Sequence, residues 1–237
     1  MKTKQKNDEI HKKANVYKNL CIFAEDAIKL DNDAKIFGKW RKKESYWDSK
    51  TNFKGIFYSD GNEYVICYLG TDNKSFKDHV ENIIMGLFGK SMQMRIADFF
   101  YKTCRDKFDL NTDKLTLTGH SEGGTEATYV GIRNKIRTVT FNSFGISRKL
   151  LKDDMDYDEL ITNYRDESDL VSKLKENAGK TYIVPSTVKQ CFIKRIFGSI
   201  KSHKIVNFGD CEQAVPLEDY EDSHPLFINS YKIFNKL

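Results

Sequence analysis

No apolar run in this 237-residue chain approaches the ~20 residues that a membrane-crossing helix needs, so an integral helical membrane protein is not expected. The first thirteen residues are lysine-rich and polar without the apolar core of a secretory leader. Synthesis is therefore expected to end in the cytoplasm, with leaderless export left open. Cysteine is sparse: Cys21, Cys67, Cys104, Cys191 and Cys211 stand singly, with no C-x-x-C spacing. An odd, scattered set fits free thiols, and neither a disulfide framework nor a metal site is expected. Only three prolines occur, and there are no repeats or low-complexity tracts, so no linker announces itself. The reading is one domain over residues 14–237 behind a flexible basic arm at 1–13. The net charge of +5 comes from basic residues interspersed with acids along the chain. Such a distribution lacks the concentrated basic stripe of a nucleic-acid binder, and no nucleic-acid partner is expected.

What is present concentrates in Leu115-Thr116-Leu117-Thr118-Gly119-His120-Ser121-Glu122-Gly123-Gly124. An alternating apolar run leads into a glycine-flanked serine, and Thr125 to Val130 after it reads as helix. A serine hydroxyl is a poor nucleophile. It becomes useful at a sharp strand-to-helix turn, where Oγ projects and the next backbone N–H can meet an oxyanion. Glycines on both sides keep Cβ atoms out of that turn. Ser121 is thus the candidate nucleophile.

The rest of the chain frames it. Tyr17, Leu20, Ala24 and Ala27 or Ile28 recur at helical spacing, and Met92 to Phe108 also carries helical periodicity. Gly55–Tyr58 and Tyr64–Leu69 read as neighbouring strands around the turn residues Ser59-Asp60-Gly61-Asn62. Further strands are expected at Lys114–Thr118, Arg137–Phe144, near Leu160–Tyr164 and at Thr181–Val184. Strands alternating with helices imply an α/β fold with a mostly parallel central sheet flanked by helices.

A serine hydrolase of this architecture orders its triad Ser, then Asp or Glu, then His. Arg165-Asp166-Glu167-Ser168-Asp169 follows a strand and supplies the acid, with Asp169 the first choice and Asp166 the reserve. Two histidines lie downstream, so the base is His203 or His224.

Gly119-His120-Ser121-Glu122-Gly123-Gly124 resembles the G-H-S-x-G-G of class 3 (fungal-type) lipases and their bacterial lipase-like relatives. Tyr68-Leu69-Gly70-Thr71 is similar to the family's F-R-G-T strand end, with Leu69 standing where arginine is usual. Asp169-Leu170-Val171 is similar to its D-x-V, and His203-Lys204-Ile205-Val206-Asn207-Phe208 to its H-x-x-x-N-F. The resemblance spans about residues 55–210. It implies an α/β-hydrolase fold, a Ser121–His203–Asp169 triad, an oxyanion hole from the backbone N–H groups of Thr71 and Glu122, and no cofactor. Ester hydrolysis of lipid or phospholipid acyl chains is the activity it implies.

Val188 to Ile200 places Phe192, Ile193, Ile196, Phe197 and Ile200 at helical spacing among Lys189, Lys194 and Arg195, with Lys201 next. That pattern suits transient docking on an anionic membrane surface, or equally a buried face with solvated lysines. Ile83–Gly89, apolar and bounded by glycines, reads as a lid or an ordinary core helix. An esterase, thioesterase or peptidase acting on a small soluble substrate is the alternative enzyme. A degenerate hydrolase fold used for binding is the alternative class, favoured by the carboxylate of Glu122 beside the serine.

Overall fold

A computed structural model describes residues 2–70, 92–152, 155–169, 172, 177–187 and 203–223. Nine strands form one sheet whose spatial order follows the chain: β1 (Lys35–Phe37), β2 (Trp40–Asp48), β3 (Phe53–Ser59), β4 (Tyr64–Tyr68), β5 (Leu115–His120), β6 (Thr138–Phe141), β7 (Ile161–Asp166), β8 (Lys180–Val184) and β9 (Val215–Pro216). β1 to β4 pair antiparallel, β4 to β8 pair parallel, and β9 returns antiparallel on β8. The helices are α1 (Lys2–Ala27), α2 (Met92–Phe108), α3 (Glu122–Asn134) and α4 (Leu217–Ser223).

Both sheet faces are covered at the parallel centre, which is why its strands carry apolar or β-branched residues throughout rather than on one face only. In β4, Ile66 and Tyr68 join a core with Phe100, Tyr101 and Cys104 of α2 and Ala127 and Val130 of α3. The intervening Val65 and Cys67 join the opposite core with Ala14, Tyr17, Leu20 and Ala24 of α1. The threonines of β5 face α1, where the Thr116 hydroxyl donates to the Tyr17 hydroxyl at 3.4 Å and Thr118 meets the Cys21 thiol. The side chains at Tyr17, Leu20, Ala24 and Ala27 thus form the helical seam that their spacing predicts.

Residues 2–13, expected as a flexible arm, instead begin α1. His11 is buried, its Nδ1 2.8 Å from the Tyr164 hydroxyl, and Lys13 pairs with Glu63 at 2.6 Å. These partners lie far away in sequence, so no local apolar repeat announces this stretch of helix. β6 is shorter than expected, because Asn142 turns into left-handed backbone at φ 45° and leaves the ladder. β1, β2 and β9 were not anticipated. Among the described residues no helix is long and apolar enough to cross a membrane.

Candidate active site

Parallel pairing brings the carboxyl ends of β5, β6 and β7 to one edge of the sheet, the usual location of a site in an open α/β sheet. Ser121 sits there as the cap of α3, with φ 59° and ψ −124°. That sparsely populated conformation costs on the order of 1–3 kcal/mol and must be held by its surroundings. The Ser121 N–H donates to the Phe141 carbonyl at 3.1 Å, while the Ser121 carbonyl accepts from the N–H groups of Gly124 and Thr125. Close approach explains the glycines. A Cβ on Gly119 would lie 2.3 Å from the Gly123 carbonyl oxygen, and one on Gly123 would lie 2.2 Å from that of Tyr68. Gly123→Ala is accordingly expected to cost about 3 kcal/mol or more, or to give insoluble protein, since backbone lies on the far side of the clash. Urea unfolding of the purified variant checks this.

The structure brings together Ser121, His203 and Asp169. His203 Nε2 is 2.8 Å from Ser121 Oγ, and His203 Nδ1 is 2.8 Å from Asp169 Oδ2. Ser121 is 3%, His203 1% and Asp169 0% exposed. The Ser172 N–H donates to the same carboxylate oxygen at 3.3 Å, fixing Asp169 from its other side. Asp166, the reserve acid, is not in this chain of contacts. Its Oδ1 accepts the Ser168 N–H at 2.8 Å, and its Oδ2 is buried without a partner among the described residues. The N–H of Glu122 opens α3 beside Ser121, where the helix end favours negative charge. Thr71 and His224 lie outside the described residues, as do Ile83–Gly89 and Val188–Ile200.

Three residues that the sequence did not single out hold the imidazole in place. The His203 carbonyl accepts hydrogen bonds from His120 Nε2 and, at 3.4 Å, from Asn142 Nδ2. Asn142 Oδ1 in turn accepts from the Asp166 N–H at 2.8 Å, so one amide ties the end of β7 to the residue carrying the base. Phe144 stacks on the His203 ring, nearly parallel at 3° with centroids 5.5 Å apart. Burial, followed by the neighbouring His203, pulls the His120 imidazole down to about 3. At neutral pH His120 is therefore uncharged and serves as a donor.

Burial pushes the Asp166 carboxyl up to about 7, against about 3.9 in an unfolded chain. The folded protein then holds more protons than the unfolded one between those values. The stability that the protonated group contributes is present at low pH and lost as pH rises through about 7. Asp166→Asn is expected to flatten this slope by an amount of order 2 kcal/mol between pH 5 and pH 8, measurable by urea unfolding of both proteins at each pH.

Comparison with known proteins places these features. The phospholipase-like family model described as "Tle-like phospholipase domain" matches residues 27–203. The chain is 25% identical over 138 residues to the "Extracellular phospholipase A1" of Serratia liquefaciens, covering 54% of this chain and 42% of that protein. It thus spans less than half the length of that relative. Among solved structures, lipase II of Rhizopus niveus superposes with a TM-score of 0.60 at 13% identity, covering 84% of this chain and 97% of that one. The triacylglyceride lipase of Rhizomucor miehei gives 0.56 at 14%, covering 84% and 96%. The triacylglycerol lipase of Penicillium expansum gives 0.55 at 12%, covering 88% and 84%. At such identities the likeness establishes the fold, the α/β-hydrolase arrangement that the motifs imply.

Proposed function

Because the chain belongs to the Tle-like phospholipase family, we propose that it hydrolyses acyl esters of lipids, phospholipids foremost, with Ser121 as nucleophile, His203 as general base and acid, and Asp169 as its partner. The observation that carries this reading is the single imidazole set between Ser121 Oγ and Asp169 Oδ2, at 2.8 Å from each. Ser121 Oγ attacks the ester carbonyl as its proton passes to His203 Nε2. The imidazolium so formed is stabilised by Asp169 through Nδ1–H, and it returns the proton to the departing alcohol. Water then enters and gives a proton to the same nitrogen as its oxygen bonds to the acyl carbon, and the imidazolium returns that proton to Ser121 Oγ as the fatty acid leaves.

The negative charge on the substrate oxygen needs fixed donors aimed at it. We assign this role to the backbone N–H groups of Glu122 and Thr71. The donor set Ser, His and carboxylate performs the reaction with the protein's own groups, and a single domain that includes the whole of α1 carries it in this reading. The basic apolar stretch Val188–Ile200 is our assignment for transient contact with anionic lipid. In this reading the protein acts in the cytoplasm, in keeping with the free thiols of Cys21, Cys67, Cys104 and Cys211.

The test is fatty-acid release from phospholipid vesicles, followed by mass spectrometry, beside a p-nitrophenyl ester series of increasing chain length. Release that rises with chain length and with the anionic lipid fraction is expected. Turnover of short soluble esters with phospholipid untouched moves the protein to the soluble-substrate alternative. Failure of a fluorophosphonate probe to label Ser121 in folded protein moves it to a binding module.

A further inference from the structure

Asn142, the residue after β6, is fully buried, and its backbone takes the left-handed conformation at φ 45°. Side chains other than glycine are uncommon there, although asparagine adopts it more readily than most. A turn that needed the conformation alone would be better served by glycine, which has no Cβ to strain. The side chain is therefore kept for another purpose.

The two ends of its amide show what that purpose is. Oδ1 accepts the Asp166 N–H at 2.8 Å, and Nδ2 donates to the His203 carbonyl at 3.4 Å. Asp166 opens the turn that carries the acid, since the Asp169 N–H donates back to the Asp166 carbonyl at 3.1 Å. The Asn142 N–H also donates to the Tyr164 carbonyl at 2.9 Å, so backbone and side chain both grip the end of β7. One buried residue thus spans the two segments that bring Asp169 and His203 together. His120 Nε2 reaches the same His203 carbonyl, but it has no contact with Asp166 among the described residues and holds one side only. The neighbours of Asn142 complete the frame. The Phe141 carbonyl accepts the Ser121 N–H at 3.1 Å, and Phe144 stacks on the His203 ring.

We propose that Asn142 is a positioning residue of the triad, its amide setting the spacing between the acid-bearing turn and the base. This rests on the reading of Ser121, His203 and Asp169 given above, and not on which ester is cleaved. Catalytic groups must be held within about 0.5 Å of the productive geometry, and a misplacement of about 1 Å costs on the order of a hundredfold in rate. Asn142 acts through the backbone of Asp166 and His203 and makes no described contact with Ser121 Oγ or the imidazole ring. Its loss should lower reactivity and leave substrate binding alone.

Three variants test this. Asn142→Gly suits the left-handed backbone and removes both amide contacts. Asn142→Asp keeps the shape and the acceptor for the Asp166 N–H, but sets an oxygen where the donor to the His203 carbonyl stood. Asn163→Ala is the control. That asparagine of β7 is also buried, accepting from the Thr140 hydroxyl at 2.8 Å and donating to the carbonyls of Ala178 and Lys180, and none of these partners belongs to the triad. The readouts are the rate at which a fluorophosphonate labels Ser121, kcat and KM on a p-nitrophenyl ester, and the melting temperature of each protein. Both Asn142 variants are expected to label and turn over about tenfold to a hundredfold more slowly, with KM within about twofold of wild type. Asn163→Ala is expected to melt lower and to keep its rates within about threefold. If Asn142→Gly does not fold, Asn142→Asp decides. Wild-type rates in either folded Asn142 variant, a raised KM with kcat unchanged, or an equal loss of rate in Asn163→Ala overturns the assignment. Absence of labelling in the wild-type protein instead removes the triad reading itself, and this assignment falls with it.

Discussion

Replacing Ser121 by alanine is expected to lower ester turnover by about 10³-fold or more while leaving a folded protein. The hydroxyl is the only group of this residue that reaches the imidazole, and water arriving in its place lacks both the fixed position and the covalent route. The conformational strain at φ 59° is the same for alanine as for serine, so the backbone has no reason to relax. The structural loss is one buried hydrogen bond to His203, worth about 1 kcal/mol, or a few degrees in melting temperature for a chain of this size. Steady-state rates on a p-nitrophenyl ester, thermal melting and fluorophosphonate labelling together decide the matter. Residual turnover within about tenfold of wild type would remove Ser121 from the mechanism.

Asp169→Asn should be nearly as damaging, at about 10³-fold to 10⁴-fold in kcat. The asparagine fills the same volume but brings no charge to stabilise the imidazolium, and one of its two faces offers a donor to a nitrogen that already carries hydrogen. Asp166→Asn is the matched control, since it alters a carboxyl three residues away that touches neither His203 nor Ser121 among the contacts found. It should keep kcat within about threefold. The reverse pattern, with Asp166→Asn inactive and Asp169→Asn active, would exchange the two roles. Measuring kcat from pH 6 to 9 separates loss of the acid's charge from a shifted titration of the base.

The turn at Ser121 is legible in sequence because it is local. Backbone carbonyls of Gly123 and Tyr68 approach so closely that Gly119 and Gly123 tolerate no side chain, and a strand and a helix meet within ten residues. Asp169 is the first choice from its place in the loop after a strand, whereas choosing His203 over His224 required the likeness to a known motif, since either histidine alone is an ordinary polar residue. The clamp on the imidazole was not legible. His120 and Asn142 reach the His203 carbonyl across 83 and 61 residues, and no spacing rule encodes such a meeting. β2 was hidden for a different reason. Its Arg41, Lys42, Lys43 and Glu44 break any alternating apolar pattern, and a bulge between Lys42 and Glu44 shifts the period of what remains. Lys42 is nevertheless buried, its ammonium donating to the carbonyls of Ile28 and Leu30 just beyond α1.

The position of α1 also fixes an order of events during synthesis. Of the described elements it leaves the ribosome earliest, and alongside early anchors such as Glu63 it has several that come late. His11 waits for Tyr164, 153 residues later, and Asn15 waits for the N–H of Cys211, 196 residues later. Lys18 closes on the carbonyl of Gly209. Contacts so distant in sequence slow folding, because the chain between them must first be confined. Until those late partners emerge, the helix is held over the sheet face carrying Val65, Cys67 and Val139 by its earlier contacts alone, and the nascent protein keeps that apolar surface incompletely closed. A truncation that removed α1 would make that transient exposure permanent.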